Sequence, residues 1–137
     1  MRVVADDKIP YLREALETMG VEGVYMPGSL IDADAVRDAD ALIVRTRTRC
    51  DAALLEGSRV RFIATATIGY DHIDTDYCAT HDICWTNAPG CNAPSVCQYI
   101  ESALLLLQAE QGICLSQSTL GIVGVGHVGS LVEAMAR

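Results

Sequence analysis

The chain has 137 residues, half of them hydrophobic and a fifth charged, which sets an expectation of about one folded domain and excludes a disordered chain. Eighteen acidic residues against ten basic ones give a net charge of −8, which argues against nucleic-acid and anionic-membrane partners, because both are held by basic patches. A small anionic substrate stays open, since it needs only a local arginine. Arg2-Val3-Val4-Ala5 runs directly into Asp6-Asp7, so no secretory signal is expected and the protein is placed in the cytoplasm. The longest apolar run, Ala103 to Leu107, is far too short to span a bilayer. The six cysteines, at 50, 78, 84, 91, 97 and 114, form no CxxC pair and no zinc spacing. Most are expected to be small buried hydrophobes, with no metal site.

In chain order, Val3-Val4-Ala5 predicts a strand, and Tyr11, Leu12, Ala15, Leu16 and Met19 recur at helical spacing with Gly20 at the C-terminal cap. Val21 to Met26 predicts a second strand, Asp32 the cap of a short helix to Arg37, and Ala41 to Val44 a third strand. A short helix near Asp51 to Glu56, strand Phe62 to Thr65, helix Asp74 to Thr80 and strand Ile83 to Thr86 follow. Strands alternating with helices imply an α/β fold: a flavodoxin-like parallel sheet covered on both faces. Residues 1–88 are expected to form the first domain. Pro89, Gly90 and Pro94 break regular structure, so 89–94 is the expected linker.

From residue 95 the pattern changes. Ser95 and Gln98 have capping-box spacing. Val96, Tyr99, Ile100, Ala103, Leu104, Leu106 and Leu107 then make a broad apolar helix expected to end before Gly112 and to be buried on more than one side. Thr119 to Val123 predicts a strand running into Gly124-Val125-Gly126-His127-Val128-Gly129, a GxGxxG turn that opens a helix at Ser130. Strand, glycine turn and helix together are the opening βα unit of a Rossmann domain. The first glycine permits the tight turn, the second lets a pyrophosphate approach, and the third lets helix and strand pack closely. Residues 95–137 are therefore read as the start of a dinucleotide-binding domain, incomplete at Arg137. Gly124, Gly126, His127, Val128 and Gly129 are its candidate cofactor contacts.

Two further segments leave strands at their carboxyl ends, where ligands of open α/β sheets bind. Arg45-Thr46-Arg47-Thr48-Arg49 offers guanidinium and hydroxyl donors to a carboxylate or phosphate. Ala64-Thr65-Ala66-Thr67-Ile68-Gly69-Tyr70-Asp71-His72 offers small residues and the Thr67 hydroxyl. Asp71 and His72 are expected to shape the turn, not to act as acid and base. His81 carries no signal.

Taken with Ala88-Pro89-Gly90-Cys91-Asn92-Ala93, these motifs resemble the D-2-hydroxyacid dehydrogenase family, and within it the members that oxidise 4-phospho-D-erythronate on the route to pyridoxal phosphate (vitamin B6). Cys91 stands where other branches usually carry glycine, whereas Gln98 and Asp6-Asp7-Lys8 depart from the usual pattern. The resemblance implies transfer of hydride to NAD, a small anionic substrate touched by Arg45, Thr46 and Thr67, and a homodimer at full length. The family's catalytic Arg, Glu and His follow the glycine loop and match no position here. The chain is thus expected to be an inactive fragment, with no catalytic residue of its own. Two other readings stay open: a different 2-hydroxyacid dehydrogenase, such as one acting on phosphoglycerate, and a non-catalytic NAD-sensing interaction module.

Overall fold

A computed structural model describes all residues, 1–137. The chain divides into two compact units, Met1–Ala88 and Pro89–Arg137. The first holds strands β1 (Arg2–Asp6), β2 (Glu22–Met26), β3 (Ala41–Val44), β4 (Phe62–Thr65) and β5 (Cys84–Thr86), with helices α1 (Leu12–Thr18), α2 (Ala33–Val36), α3 (Ala52–Leu55) and α4 (Thr75–Thr80) between them. All neighbouring strands pair in parallel, in the order β2-β1-β3-β4-β5, which is the doubly wound flavodoxin-like order. Such strands are buried on both faces and read as continuous apolar runs. Accordingly Val4, Leu42, Val44 and Ile63 are fully buried in one core with Val36, Val60 and Cys78.

Three aspartates start helices as their positions suggest. The Asp32 carboxylate accepts from the Ala35 N–H, that of Asp51 from Ala53 and Leu54, and that of Asp74 from Tyr77. Each satisfies backbone donors that a helix start leaves without partners. Gly20 has φ +66°, the left-handed geometry of the expected helix terminus.

The second unit holds α5 (Ala93–Gln111) and α6 (His127–Ala136), which pack on each other. Here the structure corrects three expectations. Helix α5 begins at Ala93 and not at 95: Asn92 precedes it, no side chain caps it, and Pro94 lies in its first turn. A proline there sacrifices no hydrogen bond, because first-turn N–H groups have no partner within the helix, so the helix takes in Ala93 and Pro94, the last two residues of the expected linker. The apolar stripe of α5 is not buried on several sides: Val96, Ile100, Ala103 and Leu104 are half-buried, whereas Tyr99, Leu105, Leu106 and Leu107 are exposed. Residues 119–123 form no strand, because no segment supplies the ladder a strand requires, and Val123 is entirely exposed. The expectation that most cysteines are buried is corrected as well. Only Cys50 and Cys78 are buried, while Cys84, Cys91 and Cys114 are exposed.

Candidate functional site

Adjacent strands β3 and β4, in register at Val44 and Thr65, release their following loops side by side at the carboxyl edge of the sheet. The backbone joins these loops. The Cys50 N–H donates to the His72 carbonyl at 2.7 Å, and the Asp74 N–H donates to the Cys50 carbonyl at 2.8 Å. From the β2 side, the buried Thr48 hydroxyl donates to the Gly28 carbonyl at 2.8 Å. From the β5 side, the Ala88 N–H donates to the Thr67 carbonyl at 3.0 Å and the Asn87 side chain to the Ile68 carbonyl at 2.7 Å. Loops tied at both ends present their side chains in a fixed arrangement, which a binding site requires.

Between them lies an open cleft of about 360 Å³ lined by Thr46, Arg49, Gly69, Asp71 and His72. Of the expected substrate contacts, Thr46 is exposed in this cleft. Thr67 stands beside it, half-buried, donating to the Gly69 carbonyl at 2.9 Å. Arg45 is placed differently. Its guanidinium meets the buried Asp6 carboxylate at 3.1 Å, and the Lys8 N–H donates to the same Asp6 oxygen at 2.9 Å. The other carboxylate oxygen of Asp6 is buried without a partner. It faces Gly28, where a Cβ would stand 2.5 Å from it. Arg45 is therefore anchored from beneath by a charge at the end of β1, and its remaining surface is available to an anion. Arg49, paired with Asp51 at 2.9 Å on the surface, is the guanidinium that lines the cleft itself.

Asp6 carries no expected role, Thr65 and Arg49 enter the expectations only as members of their loops, and His72 only as a residue that shapes the turn. Asp6 closes an apolar strand, and the strand order sets β1 beside β3, so the Asp6–Arg45 pair follows once that order is known. His72 contacts the nearly inaccessible Thr65 hydroxyl at 3.0 Å. Burial lowers the pKa of its imidazole from the ordinary value, with neighbouring Asp71 opposing the shift. The ring is thus neutral at pH 7 and able to donate through only one nitrogen.

In the second unit the glycine loop has the form a pyrophosphate needs. Gly124 has φ +92°, a left-handed conformation that side chains disfavour. A Cβ on Gly129 would strike the Gly124 carbonyl, so only glycine lets the loop close onto α6. Around Gly126 there is open space. No side chain caps α6, which leaves its first-turn N–H groups for an anion at the positive end of the helix. These features fit a dinucleotide phosphate held by Gly124, Gly126, His127, Val128 and Gly129. The His127 ring lies against Gly90, where an added Cβ would come within 2.9 Å of it. A separate cavity of about 360 Å³ in this unit is lined by apolar and hydroxyl side chains, among them Leu104, Leu107, Ile113, Leu120 and Met135. It holds no titratable group and no chemistry.

A doubly wound sheet with a cleft at its carboxyl edge, followed in the chain by a glycine-loop helix, is the architecture of α/β proteins that bind anionic ligands at strand ends and helix starts. Residues 2–136 match the family model described as D-isomer specific 2-hydroxyacid dehydrogenase, catalytic domain, and the chain belongs to that family. It is 61% identical over 137 residues to the erythronate-4-phosphate dehydrogenase of Bacteroides fragilis, covering 100% of this chain and 39% of that protein. A second such enzyme, from Chromohalobacter salexigens, is 55% identical over 130 residues, or 95% of this chain and 34% of its own length. The chain therefore spans somewhat more than a third of the length of these relatives. Among solved structures, the NAD+-bound 3-phosphoglycerate dehydrogenase of Entamoeba histolytica superposes with a TM-score of 0.71 at 26% identity, over 99% of this chain and 50% of that one.

Proposed function

We propose that these residues carry the substrate-side loops and the phosphate-binding turn of an NAD-dependent dehydrogenase that oxidises 4-phospho-D-erythronate. In this reading Met1–Ala88 is the substrate-binding domain, 89–94 the linker and 95–137 the start of the NAD-binding domain. Thr46 and Thr67 donate hydroxyl hydrogens to the substrate's anionic groups, and Arg45, steadied by Asp6, supplies positive charge. The substrate hydroxyl gives its proton to the family's histidine that follows the glycine loop in the full-length protein, and the carbon bearing it loses a hydride, giving the 2-oxo acid on the way to pyridoxal phosphate. Bound NAD supplies the hydride acceptor. The same reading makes the full-length protein a cytoplasmic homodimer with no nucleic-acid or membrane partner; no helix is long and apolar enough to cross a membrane.

The observation that carries this reading is the 61% identity to a named erythronate-4-phosphate dehydrogenase across every residue of the chain. The Thr46–His72 cleft and the Gly124–Gly129 turn support it by supplying an anion site and a phosphate site. The complete product of the gene encoding these residues is expected to form NADH with 4-phosphoerythronate and not with 3-phosphoglycerate. Thr67→Ala is expected to raise KM by about tenfold, the cost of one hydrogen bond to a charged group. Preference for 3-phosphoglycerate, or an unaltered KM in the variant, would overturn the assignment.

A further inference from the structure

His72, Thr65, Thr67 and Gly69 form an unbroken line of three contacts: His72 Nε2 to Thr65 Oγ1 at 3.0 Å, Thr65 Oγ1 to Thr67 Oγ1 at 2.7 Å, and Thr67 Oγ1 to the Gly69 carbonyl at 2.9 Å. Each hydroxyl has one hydrogen to give. A carbonyl only accepts, so the Thr67 hydrogen points to Gly69. Thr67 must then receive its second bond from Thr65, and Thr65, having spent its hydrogen, must receive from His72. Only one arrangement satisfies all three contacts, and it requires hydrogen on Nε2.

We propose that His72 is a positioning residue, whose Nε2–H fixes the Thr67 hydroxyl through Thr65 and so presets the anion-binding face of the cleft. The inference rests on the reading of Thr67 as a substrate contact. Thr65 is 3% exposed, so water cannot readily replace either bond, and a buried hydroxyl holds the partners it has. The lowered pKa of His72 agrees with a neutral ring at pH 7. Thr67 gains twice from the arrangement. The bond it accepts from Thr65 holds its oxygen in place, and an oxygen that already accepts a hydrogen bond is a stronger donor when its hydrogen turns from Gly69 to an arriving anion.

The test uses the complete product of the gene encoding these residues, labelled with ¹⁵N histidine and read by long-range ¹H–¹⁵N correlation at pH 7 and by titration with 4-phosphoerythronate. We expect the Nε2–H tautomer at His72 in the wild type and loss of that preference in Thr65→Val, with Thr65→Ser retaining it. His72→Gln keeps an N–H at similar reach and is expected to bind 4-phosphoerythronate within about twofold of wild type. His72→Leu is expected to bind it about fivefold more weakly, the scale of one hydrogen bond. An Nδ1–H tautomer in the wild type, or equal affinities in the Gln and Leu variants, overturns the proposal. Should His72→Leu lose its folded spectrum, the Thr65→Val and Thr65→Ser pair decides by the same two readouts. A wild type that keeps the Nε2–H tautomer but shows no response to 4-phosphoerythronate overturns the substrate reading instead, and with it the role of His72 toward that ligand.

Discussion

The two units differ in how completely they enclose their own apolar residues. In Met1–Ala88 the five strands are all paired and the centre of the sheet is fully buried. In Pro89–Arg137 only Ala93 and Val132 are buried, whereas Tyr99, Leu105, Leu106, Leu120, Val123 and Val125 are exposed. A parallel sheet of short strands closes its core with helical crossovers that lie on both of its faces, so 88 residues suffice. Two helices and a loop share one contact face and leave the rest of their apolar surface in water. The lesson is that apolar content does not measure burial; what decides it is the number of elements available to cover each face.

The cysteines give the comparison its largest expected readout. Burial pushes the Cys50 thiol up to about 12 and raises that of Cys78 as well. Only thiolates alkylate, so a rise from the ordinary 9.0 to about 12 lowers the reactive fraction roughly a thousandfold. With iodoacetamide at pH 8, followed by peptide mass spectrometry, Cys91 and Cys114 of the second unit are expected to react in minutes and Cys50 to stay unmodified until the sheet unfolds. Equal labelling of Cys50 and Cys114 in buffer would mean that the sheet unit opens as readily as the helical one.

Next in size is a pair of truncations. Leu42, fully buried in β3, should cost roughly 2–5 kcal/mol as Leu42→Ala, because its removal leaves a cavity among close-packed neighbours. Leu106→Ala, at a side chain 56% exposed, should change stability by less than about 0.5 kcal/mol. Urea unfolding followed at Trp85, within the sheet unit, measures the first, and helical circular dichroism the second. Comparable losses for the two variants would show that α5 is enclosed as tightly as the sheet.

Much of the sheet was legible because its signals are local. An apolar run such as Ala41–Val44 followed by Asp51 at a helix start specifies both a strand and the point where the next helix begins. The same logic failed at 119–123, where Leu120, Ile122 and Val123 also make an apolar run but a ladder depends on a partner strand, which periodicity cannot report. At the site, Thr46 and Thr67 were legible from strand ends alone. Asp6 beneath Arg45 was not, because the two are 39 positions apart and meet only through strand order. The Thr65–His72 contact was hidden for a subtler reason: the two are seven positions apart, and the turn between them folds back by a geometry no residue type announces.

The smallest expected effect belongs to the sheet unit and concerns pH. The His72 pKa lies below its ordinary value of 6.5, chiefly through burial, with Asp71 acting in the opposite sense. When that histidine is released on unfolding it takes up a proton more readily, so between the folded value and 6.5 the unfolded chain binds more protons than the native one. By linkage, the stability His72 contributes is present above pH 6.5 and is lost as pH falls through its folded pKa. The Asp40 carboxylate, whose pKa is lowered chiefly by the Arg2 N–H, loses its contribution only below its ordinary 3.8, so the two windows do not overlap. Urea midpoints of wild type and His72→Gln, compared at pH 7 and pH 5, therefore isolate the histidine. The wild type should lose more stability than the variant over that interval, by a modest margin because the ring is only half-buried. Parallel pH profiles would mean that the ring is as free in the fold as in the unfolded chain, and the Thr65 contact would then have no energetic weight.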